Sequence, residues 1–143
     1  MKRVVIDASV VLKWYLADER YGQRALNLLE KFLSNELDIL SPSLLEYEVI
    51  NGLIIAQKRG RIEEKRILEA AEGFMNLELD LRNLHLFYPR VLHYCSAFNL
   101  SAYDASYLAL ANVEGISLIT ADEGLYNIVK KDLKWVKWIN EVQ

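Results

Sequence analysis

The chain begins with an apolar run, Val4-Val5-Ile6, that stops on Asp7 and resumes at Val10-Val11-Leu12. Three β-branched residues in a row, apolar on both faces, predict a buried strand over 4–7 in the middle of a parallel sheet. Ser9 is placed to cap a helix over 10–16. Beyond it the apolar spacing changes to the helical period. Ala25, Leu28, Leu29 and Phe32 line one side of 21–33, and Leu45, Val49, Gly52 and Ala56 line one side of 44–58, which stops at Gly60. Ile67, Leu68, Ala71, Phe74 and Met75 do the same over 63–75, and helices are also expected over 89–98, 103–113 and 123–130. Short runs at 39–40, 79–84, 116–120 and 135–139 read as the other strands. Strands alternating with helices predict an α/β fold, a three-layer α/β/α sandwich around a mainly parallel sheet.

In such sheets ligands bind beyond the carboxyl ends of the strands. Asp7 ends the first strand, and Asp122 follows the strand 116–120 in ITADEGL. Asp104, in NLSAYDASYLALA, shares a helical face with Tyr107, Leu108 and Ala111, so its carboxylate leads an apolar stripe toward the core's edge. In PSLLEYEVINGLIIA, Glu48 falls on the edge of the core stripe while Glu46 projects on the other flank. Glu48 is therefore the favoured functional acid, with Gly52 expected to leave room beside it. Each acid also has a purely structural account. Ser101 and Asp104 form a capping box, Thr120 and Asp122 can cap the next helix, and Asp7 can bond the amides that open its own. Glu48 can reach solvent or a lysine.

As a set, the four acids imply more. Crowded carboxylates repel, and their pKa values rise unless cations intervene. All-oxygen donors select Mg2+ or Mn2+ over zinc, and such ions activate water and offset charge in phosphodiester hydrolysis.

Composition narrows the alternatives. The 143 residues are 52% hydrophobic, enough for one packed domain over 1–143. A net charge of −3 disfavours a broad basic surface for nucleic acid, but not an acidic site neutralised by bound cations. One cysteine and two histidines cannot assemble a zinc set. No GxxxxGKS or GxGxxG loop supports nucleotide binding. The lone cysteine and the absence of a signal or membrane-spanning pattern predict a cytoplasmic protein without membrane contact.

The segments VVIDASVVLKW, SPSLLEYEVINGL, LSAYDASYLALA and ISLITADEGL, in this order from Val4 to Leu125, resemble the PIN domain and, within it, VapC-type toxins. The resemblance assigns Asp7, Glu48, Asp104 and Asp122 as catalytic, metal-holding acids, with Ser9, Thr120 and Asn51 supporting them. It implies a Mg2+- or Mn2+-dependent endoribonuclease that leaves 5′-phosphate and 3′-hydroxyl ends, a small antitoxin that blocks the site, and pairing of two copies. The stretch 78–87 matches nothing usable. Tyr47, Ile50 and Ile54 form a second apolar face, expected to meet a second copy or the antitoxin. Trp14 and Tyr15 can stack bases or pack, and Lys13, Arg20 and Arg24 can meet phosphates. Trp135, Trp138, His85, His93 and Cys95 read as structural. Two other functions fit the same acids: an RNA-processing nuclease without antitoxin, and a PIN-like scaffold that binds RNA or protein without cutting.

Overall fold

The computed structural model describes residues 2–142. Strand β1 (Lys2–Ile6) leads into α1 (Ala8–Tyr15) and α2 (Gly22–Leu33). Then come β2 (Leu37–Pro42), α3 (Leu44–Lys58), α4 (Glu64–Asn76) and β3 (Asp80–Arg82). The chain finishes with α5 (Tyr88–Phe98), α6 (Ala102–Glu114), β4 (Ser117–Thr120), α7 (Glu123–Val129) and β5 (Val136–Trp138). The five strands form one sheet in the order β3-β2-β1-β4-β5, every pairing parallel. This is the α/β sandwich the apolar pattern predicts.

β1 is central because it is apolar on both faces. Val4, Val5 and Ile6 are all sealed from solvent, with Val5 paired to Leu40 of β2 on one side and Leu118 of β4 on the other. Parallel neighbours need long crossovers, and these carry the helices to both faces. Helix α6 lies across β1, β2 and β4 with α5 packed against it, while α1, α2 and α3 interlock around β2 and α7 packs on β5. The seven residues from Ala105 to Ala111 are buried, so α6 is the main wall of the core.

Differences from expectation lie at the margins. β2 is longer than 39–40 because Ser41, a polar residue, is fully buried and satisfied by donating to the Ile6 carbonyl at 2.9 Å. The weak strand at 79–84 shrinks to three residues followed by a short 3-10 turn, Leu84–Leu86. Gly60, with φ 73°, takes the left-handed conformation just past the end of α3 that a side chain resists. In α3 the buried stripe is Leu45, Val49, Leu53 and Ala56. Gly52 lies beside it, and an added Cβ there would come within 2.5 Å of Leu12 Cδ1. The room expected at Gly52 for an ion or substrate is thus taken in part by Leu12 of α1. Among the described residues no helix is long and apolar enough to cross a membrane.

Candidate active site

The carboxyl ends of β1 and β4 are adjacent in the sheet, and the helices that follow them start there. Asp7 closes β1 and takes the N-cap position of α1. Asp122 closes the turn after β4 and caps α7, accepting from the Leu125 amide at 3.1 Å. From the facing side, α3 presents Glu48 and the first turn of α6 presents Asp104. The Asp104 amide donates to Ser101 Oγ at 3.2 Å, so this helix start is fixed by its cap. All four acids line one cleft of about 200 Å3. Ser9, Asn51, Gly52 and Tyr107 line it too, and no basic side chain does so among the described residues. Glu46 borders a separate apolar cavity, so Glu48 is the glutamate of α3 that faces the acids.

Asp7 is the most constrained of them. It is only 5% exposed, and both its oxygens accept from hydroxyls, Oδ1 from Ser9 and Oδ2 from Thr120. Those hydroxyls are held in turn. Ser9 Oγ accepts from the Ala121 amide at 2.9 Å and Thr120 Oγ1 from the Asp122 amide at 3.0 Å. The loop after β4 therefore orients the acid at the end of β1. Burial pushes the Asp7 carboxyl up to about 6 against these hydrogen bonds, and the Asp122 charge adds to the rise. Asp104 is raised as well, first by burial and then by repulsion from Asp122 and Glu48. Carboxylates that disturb one another across one cleft, with no cation lining it, form an environment that favours bound positive charge.

Tyr107 belongs to this site, although its spacing on α6 marks it only as core. Its ring is buried, yet its hydroxyl donates to Glu48 Oε1. Burial, followed by the Glu48 carboxylate, drives the phenol pKa far upward and keeps the proton on the tyrosine. The signal in the sequence is a tyrosine one helical turn after Asp104, on the same face.

The donor chemistry suits a hard divalent cation: four carboxylates, two hydroxyls and an amide, all oxygen or neutral. The side chains border the cleft without closing on one point. Among the described residues no three acidic, histidine or cysteine side chains form a group that could hold a metal ion as they stand. The hydroxyls on Asp7, the tyrosine on Glu48 and the amide on Asp122 account for much of that arrangement.

Other expected contacts resolve differently. Lys13 is nearly buried and faces Glu19 at 3.6 Å. Arg24 donates to the Val142 carbonyl at 2.7 Å, and the Trp14 indole donates to the Ala25 carbonyl at 2.8 Å. These side chains tie α1, α2 and the chain's end together. Tyr47 is 80% exposed and Ile54 is exposed beside it, so the second face of α3 is open.

A doubly covered parallel sheet with acids gathered beyond its central strands is the architecture of a PIN domain. The PIN family model matches residues 4–131, and the chain belongs to that family. Ribonuclease VapC3 of Pyrobaculum aerophilum is 31% identical over 127 residues, 86% of this chain and 92% of that protein. The solved structure of Mycobacterium tuberculosis VapC20, described as a toxin that cleaves the sarcin–ricin loop, has the same fold. It covers 87% of this chain and 93% of its own at 13% identity, with a TM-score of 0.63. A chain of a toxin–antitoxin complex from Klebsiella pneumoniae also shares the fold (TM-score 0.52, 14% identity, 94% and 98% covered).

Proposed function

We propose that this chain is a Mg2+- or Mn2+-dependent endoribonuclease and the toxin of a VapBC-type toxin–antitoxin pair. The observation that carries the reading is the single cleft lined by Asp7, Glu48, Asp104 and Asp122 with no basic residue beside them. It is supported by the similarity to the ribonuclease of Pyrobaculum aerophilum, matched along most of both chains.

In this reading Asp7, Asp104, Asp122 and Glu48 hold the metal. A metal held there would supply an activated water and offset charge on the cleaved phosphodiester. Ser9 and Thr120 orient Asp7, so its oxygens keep one direction through the reaction. Tyr107 holds Glu48 by one oxygen and leaves the other for the site. Asn51, exposed on the rim, offers an amide to the substrate. Water's oxygen bonds to phosphorus and the 3′-oxygen leaves with a proton, giving 5′-phosphate and 3′-hydroxyl ends.

The partners follow from the surface. Tyr47 borders an apolar cavity of about 500 Å3 together with Leu84, Leu92 and Tyr103, the site proposed for a second copy or an antitoxin segment. The whole chain acts as one domain in the cytoplasm. The test is single-stranded RNA incubated with Mg2+ or Mn2+, comparing wild type with Asp7→Asn and Asp104→Asn. Cleavage is expected from the wild type alone and ceases with EDTA. Equal activity in all three proteins refutes the assignment.

A further inference from the structure

One strand beyond the acidic cleft, the same sheet edge holds a second and larger opening. We propose that it seats a nucleobase of the RNA nucleotide flanking the cleaved phosphate. The inference rests on the nuclease reading above and adds to it a residue-level account of substrate selection. Trp138 of β5 pairs in register with Thr120 of β4, whose hydroxyl donates to Asp7. Neighbouring strands stand about 4.8 Å apart. The Trp138 backbone is therefore one strand spacing from a residue that holds the central acid. Ala121 borders the larger opening and Asp122, next in the chain, borders the acidic cleft, so the two spaces share a wall.

The opening has a volume of about 430 Å3. Its floor is aromatic. Tyr21 meets Trp138 edge-on with centroids 5.8 Å apart, and Tyr126 lies tilted against Trp138 at 5.5 Å. All three rings are half-buried, which leaves part of each surface facing the opening. Bases of any kind stack on such rings. The Arg20 guanidinium sits 5.1 Å from the Tyr21 centroid and donates to its hydroxyl at 3.2 Å. Asn127, exposed on α7, lines the rim; its Oδ1 accepts from Lys130 Nζ at 3.2 Å, which leaves its NH2 group to donate to a base edge.

The charged residues that line the opening are two basic and two acidic ones. Lys13 and Glu19 face each other at 3.6 Å, and Glu19 is also held by Arg61 at 2.7 Å. Arg20 and Glu123 both line the opening. Lys130, outside the lining, lies 5.8 Å from the Tyr126 centroid, so the aromatic floor, and not charge, is what favours a planar base here. The backbone adds a separate observation. Tyr21 has φ 61°, the left-handed region that a bulky side chain enters at a cost, and it does so at the turn that brings its ring onto Trp138.

The test titrates Asp104→Asn protein with fluorescein-labelled single-stranded RNA in Mg2+ and reads anisotropy. Adding Tyr126→Leu is expected to weaken binding on the order of ten-fold. An RNA abasic at the nucleotide flanking the cut should lose the same factor against Asp104→Asn and nothing further against the double variant. In the otherwise wild-type protein, Asn127→Ala should raise KM and change which phosphodiesters are cut while leaving the unfolding transition in place. Unchanged affinity, KM and cut pattern in Tyr126→Leu and Asn127→Ala overturn the proposal and leave the nuclease reading intact. RNA that binds but is never cut by the wild type removes the nuclease reading, and with it the flanking phosphate this proposal requires. RNA that fails to bind Asp104→Asn overturns the base seat directly.

Discussion

Asp7→Asn should make the metal-free protein more stable. The folded chain ionises Asp7 against its own burial, and a carboxyl moved from 3.8 to about 6 costs the fold about 3 kcal/mol once fully charged. The sign follows from linkage: a carboxyl raised in the folded state favours folding below 3.8, where both states are protonated. That advantage is lost as pH climbs to about 6 and stays lost above it. Asparagine keeps the shape and removes the charge. Ser9 and Thr120 already accept from backbone amides, so either can rotate to meet the new amide. Some hydrogen-bond energy is given up, which leaves a net gain of about 1–3 kcal/mol at neutral pH. Urea unfolding followed by circular dichroism in EDTA, from about pH 3 to about pH 8, measures it. Wild type and variant should converge at the acid end, separate between about pH 4 and about pH 6, and run parallel above that. Added Mg2+ should reverse the order by stabilising the wild type more, since a ligand that binds only the folded state stabilises it. A variant less stable than wild type at neutral pH without metal refutes the reasoning, as does a difference flat across the acid range.

Further outcomes test the supports of the cleft. Tyr107→Phe keeps the buried ring but removes the donor to Glu48; it should cost about 1 kcal/mol in thermal unfolding and lower kcat more than it raises KM. Ser101→Ala removes the acceptor that caps α6 at the Asp104 amide and should cost about 1 kcal/mol, read by the same melt. Gly52→Ala forces a Cβ toward Leu12 and should cost about 1–3 kcal/mol, partly recovered in the double variant with Leu12→Ala, as a double-mutant cycle would show.

Much of this fold is written locally. Val4-Val5-Ile6 marks the central strand by itself because a strand buried on both faces has no polar alternation to disguise it. The stripe Tyr107, Leu108 and Ala111 marks the buried helix that carries Asp104, and Glu48 is separable from Glu46 because adjoining helical positions face different neighbours. What stayed hidden needs two elements at once. The partner of the Tyr107 hydroxyl is on another helix, 59 positions away. The space beside Gly52 is occupied by Leu12, which no pattern within α3 reveals. The hold of Thr120 on Asp7 joins residues 113 positions apart, so the acid's buried, doubly bonded state is invisible to spacing alone. Near the end, Trp138 packs as expected, but its partners Tyr21 and Tyr126 lie on other elements, and no pattern along the strand names them.

The strand order has a consequence for biosynthesis. The N-terminal strand is the middle one, and its second neighbour, β4, is supplied only by residues 117–120. A nascent polypeptide halted before Thr120 carries at most three of the four acids and lacks both the Thr120 hydroxyl that meets Asp7 and the loop that holds it. Products interrupted there are thus expected to lack the assembled cleft, which forms only once β4 and the loop after it have been made.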